Sequence, residues 1–367
     1  MSDYYYEDER VLEWLDLVEP QGRAASRITD TANITSVASL FRSTNIGDDA
    51  QSIVTAFQSL SSGSMGFEEL YRAVKKVHRQ VPQDLEGFLR SHLNPFGPNI
   101  LPQFTKDVEF RIFADLAPDV EDLTNEIKLC KRKRVTEDEW SDRLVFPMLR
   151  LAQKRLRTDL EVEIATVSVS PVPTLSFSYS PRHSKSIGIS PPSLLPVSAG
   201  IPASQERVDY SLCFQLDNIR RLRRVFTNLA GDSLNQCQHP RLWNHVLLSH
   251  VKVKGSAAEG SGDAQLGVWT AAGVKRIQEM QKWNPYLRDK SIATQPLWLW
   301  KGDNLTLYAS LMSEPGEPEE LLIYELAEWH LEEPAQLVTA IICLSRVMEW
   351  SLTKYLPWFR KLIQYDS

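Results

Sequence analysis

The chain has 367 residues, 43% of them hydrophobic and 24% charged, with a formal net charge of -6. That apolar fraction excludes wholesale disorder, and the length suits about two domains or one domain with extensions. Four cysteines without a CxxC pair argue against a disulfide scaffold or a structural zinc site. The acidic balance confines any nucleic-acid binding to a local basic surface. The opening MSDYYYEDER lacks the apolar run of a signal peptide, and no stretch of about 18 uninterrupted apolar residues marks a membrane span. The expectation is a soluble, intracellular protein.

In chain order, Val11, Leu12, Trp14, Leu15 and Val18 give residues 1–20 the spacing of a short acidic helix. Residues 22–65, rich in Ser, Thr, Gly and Asn, read as weakly ordered. Phe67, Leu70, Val74 and Val77 predict a helix over 66–81, and a second helical block runs from about Lys106 to Lys131. The cationic run Lys131-Arg132-Lys133-Arg134 closes it. That run reads as a nuclear-import signal, a phosphate contact, or a solvated helix end of the kind basic residues favour. Thr136 and Glu139 form a capping box for a helix carrying Trp140, Leu144, Val145, Met148 and Leu149. Residues 160–169 alternate as a strand. Residues 170–206 hold 7 of the 21 prolines and many serines, which predicts a long insertion or mobile loop.

The last third is more regular. Val208–Leu216 and Leu247–Val253 read as strands, the second apolar enough for a central position. A flexible turn over Gly255–Gly262 leads to a helix over Gln265–Met280. Leu297–Trp300 and Leu305–Tyr308 flank Lys301-Gly302-Asp303-Asn304, a β-hairpin signal. Pro334–Ile363 reads as an amphipathic helix interrupted near Pro357, and Arg346 and Glu349 argue for packing rather than membrane insertion. His239, His245 and His250 have spacings of six and five, which fit no usual zinc pattern. Arg220, Arg221, Arg223 and Arg224, with Lys252 and Lys254, make a candidate positive patch against nucleic acid. They read equally as a short basic helix facing solvent or the acidic N-terminal region.

Several segments, in their order, resemble the fungal branch of the PD-(D/E)XK nuclease-like families. They are VLEWLDLV, EDEWSDRLVFPMLRLA, VDYSLCF, LLSHVKVKG, AQLGVWTAAGVKRI and PLWLWKGDNLTLYAS. The resemblance implies an α/β fold of restriction-endonuclease-like type, with a mixed central sheet flanked by helices and helical N- and C-terminal extensions. The resemblance spans most of residues 136–310, and the chain is expected to divide into a helical, partly disordered extension over 1–105, a nuclease-like core over 106–333 with the Ser/Pro-rich insertion at 170–206, and a C-terminal amphipathic helix over 334–367 packing on the core. The activity implied is Mg²⁺-dependent hydrolysis of DNA. Such chemistry needs hard oxygen ligands for the metal and a lysine to offset developing charge, and residues two apart on a strand share one face.

Carried over residue by residue, Asp209 matches the metal-binding Asp, Lys254 the catalytic Lys, and Gln265 the helix Gln that shapes the site. Glu137 or Glu139 matches the early-helix acid, with Glu139 taken as the site residue. Lys252 departs from the pattern, standing where the motif has an acid. An ammonium carries the wrong sign for binding Mg²⁺, so the departure implies impaired catalysis unless Glu139, Asp263 or Glu259 substitutes. The alternative expectation is a non-catalytic accessory or interaction protein that uses the fold as a scaffold, linked to a fungal secondary-metabolite biosynthetic gene cluster. DNA is the partner expected, with no membrane, and the location nucleus or cytoplasm.

Overall fold

The structure, a computed structural model, describes residues 41–42, 64–77, 80–91, 103–157, 162–166, 189, 191–195, 197–198, 201–202, 208–216, 222, 225–226, 229, 233–237, 242–255, 262–282, 284, 291–312 and 321–363. The helix expected over 1–20, most of the 170–206 insertion and Arg220, Arg221, Arg223 and Arg224 lie outside the described residues.

A mixed seven-stranded sheet organises the chain. Its strands are β1 (Phe41–Arg42), β2 (Glu163–Thr166), β3 (Tyr210–Gln215), β4 (His245–Lys254), β5 (Pro296–Lys301), β6 (Asn304–Met312) and β7 (Leu321–His330). The spatial order is β1-β7-β6-β5-β4-β3-β2. β1 runs parallel to β7 and β5 parallel to β4, and the other neighbours are antiparallel. The expected β5–β6 hairpin forms at Gly302, whose φ of 61° suits the turn. All ten residues of β4 are buried, which its five Val and Leu residues support and which its two lysines resist most strongly.

The flanking helices are α1 (Phe67–Val77), α2 (Ala117–Lys133), α3 (Glu137–Trp140), α4 (Phe146–Lys154), α5 (Gly262–Gln281), α6 (Pro334–Trp350) and α7 (Leu356–Leu362). α1 buries the four residues whose spacing predicts it, Phe67, Leu70, Val74 and Val77. The block expected from Lys106 divides into a 3₁₀ segment, Val108–Phe113, and α2, which opens on Ala117-Pro118. Arg134 caps α2 in the left-handed region with φ 51°. Lys131 is drawn out of the basic run onto Glu332 at 2.6 Å and Asp303 at 3.0 Å.

Proline shapes two joints in the same way. π-turns at Ser141–Val145 and Ser351–Tyr355 carry α3 into α4 and α6 into α7. In each, the next N–H, of Phe146 or Leu356, donates five residues back to Ser141 O or Ser351 O. Pro147 and Pro357 follow directly. They lack an N–H, and the wider turn accommodates the ring without breaking the helix. The interruption expected near Pro357 is therefore a local widening.

α6 packs against β7, α1, α2 and α4. The span Pro334–Leu362 is long and apolar enough to cross a membrane, yet 83% of its most apolar window is buried within the fold. Arg346 and Glu349 explain why it seats here. The Arg346 Nη1–Glu349 Oε2 distance is 2.7 Å, and the Arg346 guanidinium lies over the rings of Phe110 and Phe113. Arg157 adds a backbone N–H to Glu349 at 2.9 Å and a side-chain bond at 3.1 Å.

Burial alone would raise the Glu349 carboxyl, but the bonds from Arg157 and Arg346 outweigh it and hold it below its ordinary 4.5. A depressed folded value gives stability that is present above the ordinary value and lost as pH falls through the folded one. Wild type is thus expected to lose its advantage over Glu349→Gln as pH falls from 7 to the acid side of 4.5. Urea midpoints of both proteins across that range check this, and a constant gap would contradict it.

Candidate functional site

Asp209, immediately before β3, faces the C-terminal half of β4. Its N–H donates to Val251 O at 2.9 Å, and its carboxylate accepts the Val253 N–H at 2.6 Å. Lys252 and Lys254 sit two apart on β4, on one face of the sheet. The Lys252 ammonium lies 3.3 Å from Asp209 Oδ2 and 3.4 Å from Oδ1, and its side chain is 5% exposed. Lys254 Nζ lies 3.7 Å from Glu137 Oε1, its side chain 8% exposed. Two ion pairs therefore tie the end of β4 to Asp209 on one side and to α3 on the other. Burying two ammoniums is costly unless each meets a counter-charge. Their partners explain how two lysines end a fully buried strand.

α5 descends onto this face. Its first residue, Gly262, approaches so closely that a Cβ there would lie 2.6 Å from Leu299 Cδ1, 3.1 Å from Lys254 Cγ and 3.6 Å from Lys252 Cγ. Gly255, after β4, brings the chain to within van der Waals reach of Glu137 Cγ. Three residues along α5, Gln265 is half-buried between Gly262 and Trp269 on the side facing the sheet. Trp269 donates its indole N–H to His250 Nδ1 at 3.2 Å, and Ser211 Oγ lies 3.1 Å from the same nitrogen. An indole only donates, so Nδ1 accepts and the proton resides on Nε2. Burial pushes the imidazole down to about 3. His250 is a neutral, enclosed packing residue.

Of the expected site residues, Asp209, Lys252 and Lys254 come together at one point. Glu139 does not join them. Its carboxylate accepts the Thr136 N–H at 3.1 Å in the capping box, leaving Glu137, two residues earlier, to meet Lys254. Lys252, expected among the nucleic-acid contacts, is turned inward and its charge is spent on Asp209. Asp263, one of the acids considered as a substitute, turns instead to Tyr308, whose hydroxyl donates to it at 3.4 Å. Burial raises the Asp263 carboxyl, with the Tyr308 bond and Lys301 acting the other way. Glu259 and His239 lie outside the described residues.

The contribution of Gly262 is not apparent from spacing. Its signal is a glycine placed where a loop enters a helix beside a lysine-bearing strand. Phe146, an exposed aromatic at the head of α4, stacks on Tyr210 with 6.1 Å between ring centroids. The Tyr210 hydroxyl bonds to Ser141 and is pushed up to about 12, mainly by burial, with Asp142, Asp209 and Asp138 adding to the rise.

Among the described residues, no group of three or more His, Cys, Asp or Glu is arranged to hold a metal ion. A divalent ion of the hard kind needs several oxygen ligands. Here Asp209 meets an ammonium where such an ion would have to sit, and the strand position that could offer a second carboxylate is Lys252. These residues do not fit a Mg²⁺ site.

A family model described as the PD-(D/E)XK nuclease superfamily matches residues 100–356. No curated protein matches the chain. No solved structure matches it either.

Proposed function

Because the chain belongs to the PD-(D/E)XK nuclease superfamily, we propose that it binds nucleic acid without hydrolysing it through a bound metal. Membership supports a nucleic-acid partner, since superfamily nucleases act on phosphodiesters and typically use divalent metals. One observation carries the loss of hydrolysis: the Lys252 ammonium lies 3.3 Å from the Asp209 carboxylate, at the strand position where the motif has an acid.

Among the described residues, the neighbouring groups do not take over the chemistry. Asp209 already accepts the Val253 N–H and meets Lys252. His250 is neutral and fully enclosed, so it cannot take a proton from an attacking water. Lys254 is engaged by Glu137.

A second reading is a non-catalytic interaction scaffold. Asp138 and Asp142 favour it, since they add negative charge around the Tyr210 hydroxyl, whose residue follows Asp209 in the chain, and oppose a phosphate backbone.

Labelled single- and double-stranded DNA, incubated with Mg²⁺ or Mn²⁺ and either wild type or Asp209→Ala, tests the first reading. The expected result is no metal-dependent cleavage by either protein, with binding that persists in EDTA and weakens as salt rises. Metal-dependent cleavage by wild type that Asp209→Ala abolishes would overturn it. Absence of binding would leave the scaffold.

A further inference from the structure

We infer that Lys252 is a resident cation, its ammonium substituting for a divalent ion against Asp209, and that this one side chain closes a latent divalent-cation site. The inference rests on the reading above, in which the chain dispenses with a metal, and it concerns what fills the place.

The geometry has three parts. The Lys252 ammonium is shared between both carboxylate oxygens, at 3.3 and 3.4 Å, as a single cation facing a carboxylate would be. The carboxylate is fixed independently of it, through the Val253 N–H at 2.6 Å and the Asp209 backbone N–H on Val251 O at 2.9 Å. Asp209 therefore points at this place for reasons built into the β3–β4 ladder. Gly262 packs over both lysine stems: a Cβ there would crowd Lys254 Cγ at 3.1 Å and touch Lys252 Cγ at an ordinary 3.6 Å. Backbone and carboxylate together frame a position for one positive charge.

Charge arithmetic explains why wild type should refuse a metal. Lys252, Lys254, Asp209 and Glu137 sum to zero, so an added divalent ion would meet an ammonium rather than a negative well. Exchanging Lys252 for Glu removes one positive charge and adds one negative, which takes the local sum to minus two. It also places a carboxylate on the strand face beside Asp209, supplying the oxygen ligands that a hard cation requires.

The test is thermal unfolding of the full chain over a Mn²⁺ titration against EDTA, with Mn²⁺ alone as the probe. The wild-type Tm is expected to stay flat. The Lys252→Glu Tm is expected to start lower in EDTA and to climb with the logarithm of Mn²⁺ concentration. The climb should reach roughly 5 °C at a hundredfold excess over Kd, and Lys252→Glu/Asp209→Asn should lose it. A flat Lys252→Glu curve would overturn the inference. So would a wild-type rise that Asp209→Asn removes. Should Lys252→Glu not fold, Lys252→Gln frees Asp209 of the ammonium and is expected to show a smaller Mn²⁺ rise; a flat response there overturns the inference as well. Absence of DNA binding by wild type would refute the functional reading alone, whereas Mn²⁺ uptake by wild type refutes this one.

Discussion

Lys252→Met is expected to destabilise the folded chain by about 3 kcal/mol, although methionine nearly preserves the length of the stem. Removing one member of a buried pair strands the other, and the loss is the desolvation of the abandoned charge rather than the value of the contact. Asp209 keeps the Val253 N–H and a 16% exposed side chain, which places the effect at the lower end for buried pairs. Asp209→Asn should cost a similar amount, because it leaves a 5% exposed ammonium against a neutral amide. The double variant Lys252→Met/Asp209→Asn is expected to cost far less than the two singles combined. Its amide oxygen still accepts from Val253, and no charge is left uncompensated. Chemical denaturation of the four proteins yields a coupling of about 2–3 kcal/mol if the pair acts as one unit. Simple additivity would mean that the two charges do not stabilise each other.

The other large effect lies on the opposite face of β5. Trp298 and Trp300 alternate with Leu299, which meets α5, so both indoles point the other way. Trp300 pairs through Leu305 with Trp329 in one cross-strand row, and Trp298 stacks on Trp329 at 6.2 Å. Trp300→Ala is expected to cost about 3–5 kcal/mol from lost transfer energy and the cavity left behind. Trp300→Phe should cost only about 1 kcal/mol. The Trp300 indole N–H is buried with no hydrogen-bond partner among the described residues. Removing it recovers part of a penalty of about 1–3 kcal/mol, against the volume lost. Equal costs for Ala and Phe in urea unfolding would show that the N–H is satisfied or that the smaller ring cannot fill the site.

The contrast between these two faces explains how much was legible in the sequence. β3, β4, α5 and the β5–β6 hairpin follow from apolar periodicity and turn chemistry, and each forms within a few residues of its expected bounds. β7 does not announce itself. Leu326 is an extra residue between the partners of Leu307 and Tyr308, and this bulge shifts the alternation midway along the strand. Glu325 and Glu328 further dilute its β character, and burial raises the Glu325 carboxyl, with Glu328 and Asp263 adding to the rise.

At the site, period-two spacing puts Lys252 and Lys254 on one face, and the family resemblance marks the missing acid. Their burial was not legible, because counter-ions come from other elements. The choice between Glu137 and Glu139 was decidable in principle. A capping box commits the Glu139 carboxylate to the Thr136 N–H, which leaves Glu137 available to Lys254. Gly262 could not be weighed without knowing which strand its helix lands on.

The central claim is that an ammonium, and no metal, faces Asp209. Crystals of the wild-type chain grown in MnCl₂, with anomalous differences measured for manganese, test it most directly. The expected map has Lys252 Nζ against the Asp209 carboxylate and no anomalous peak within bonding distance of that carboxylate. A manganese peak bonded to Asp209, with Lys252 swung away, would contradict it.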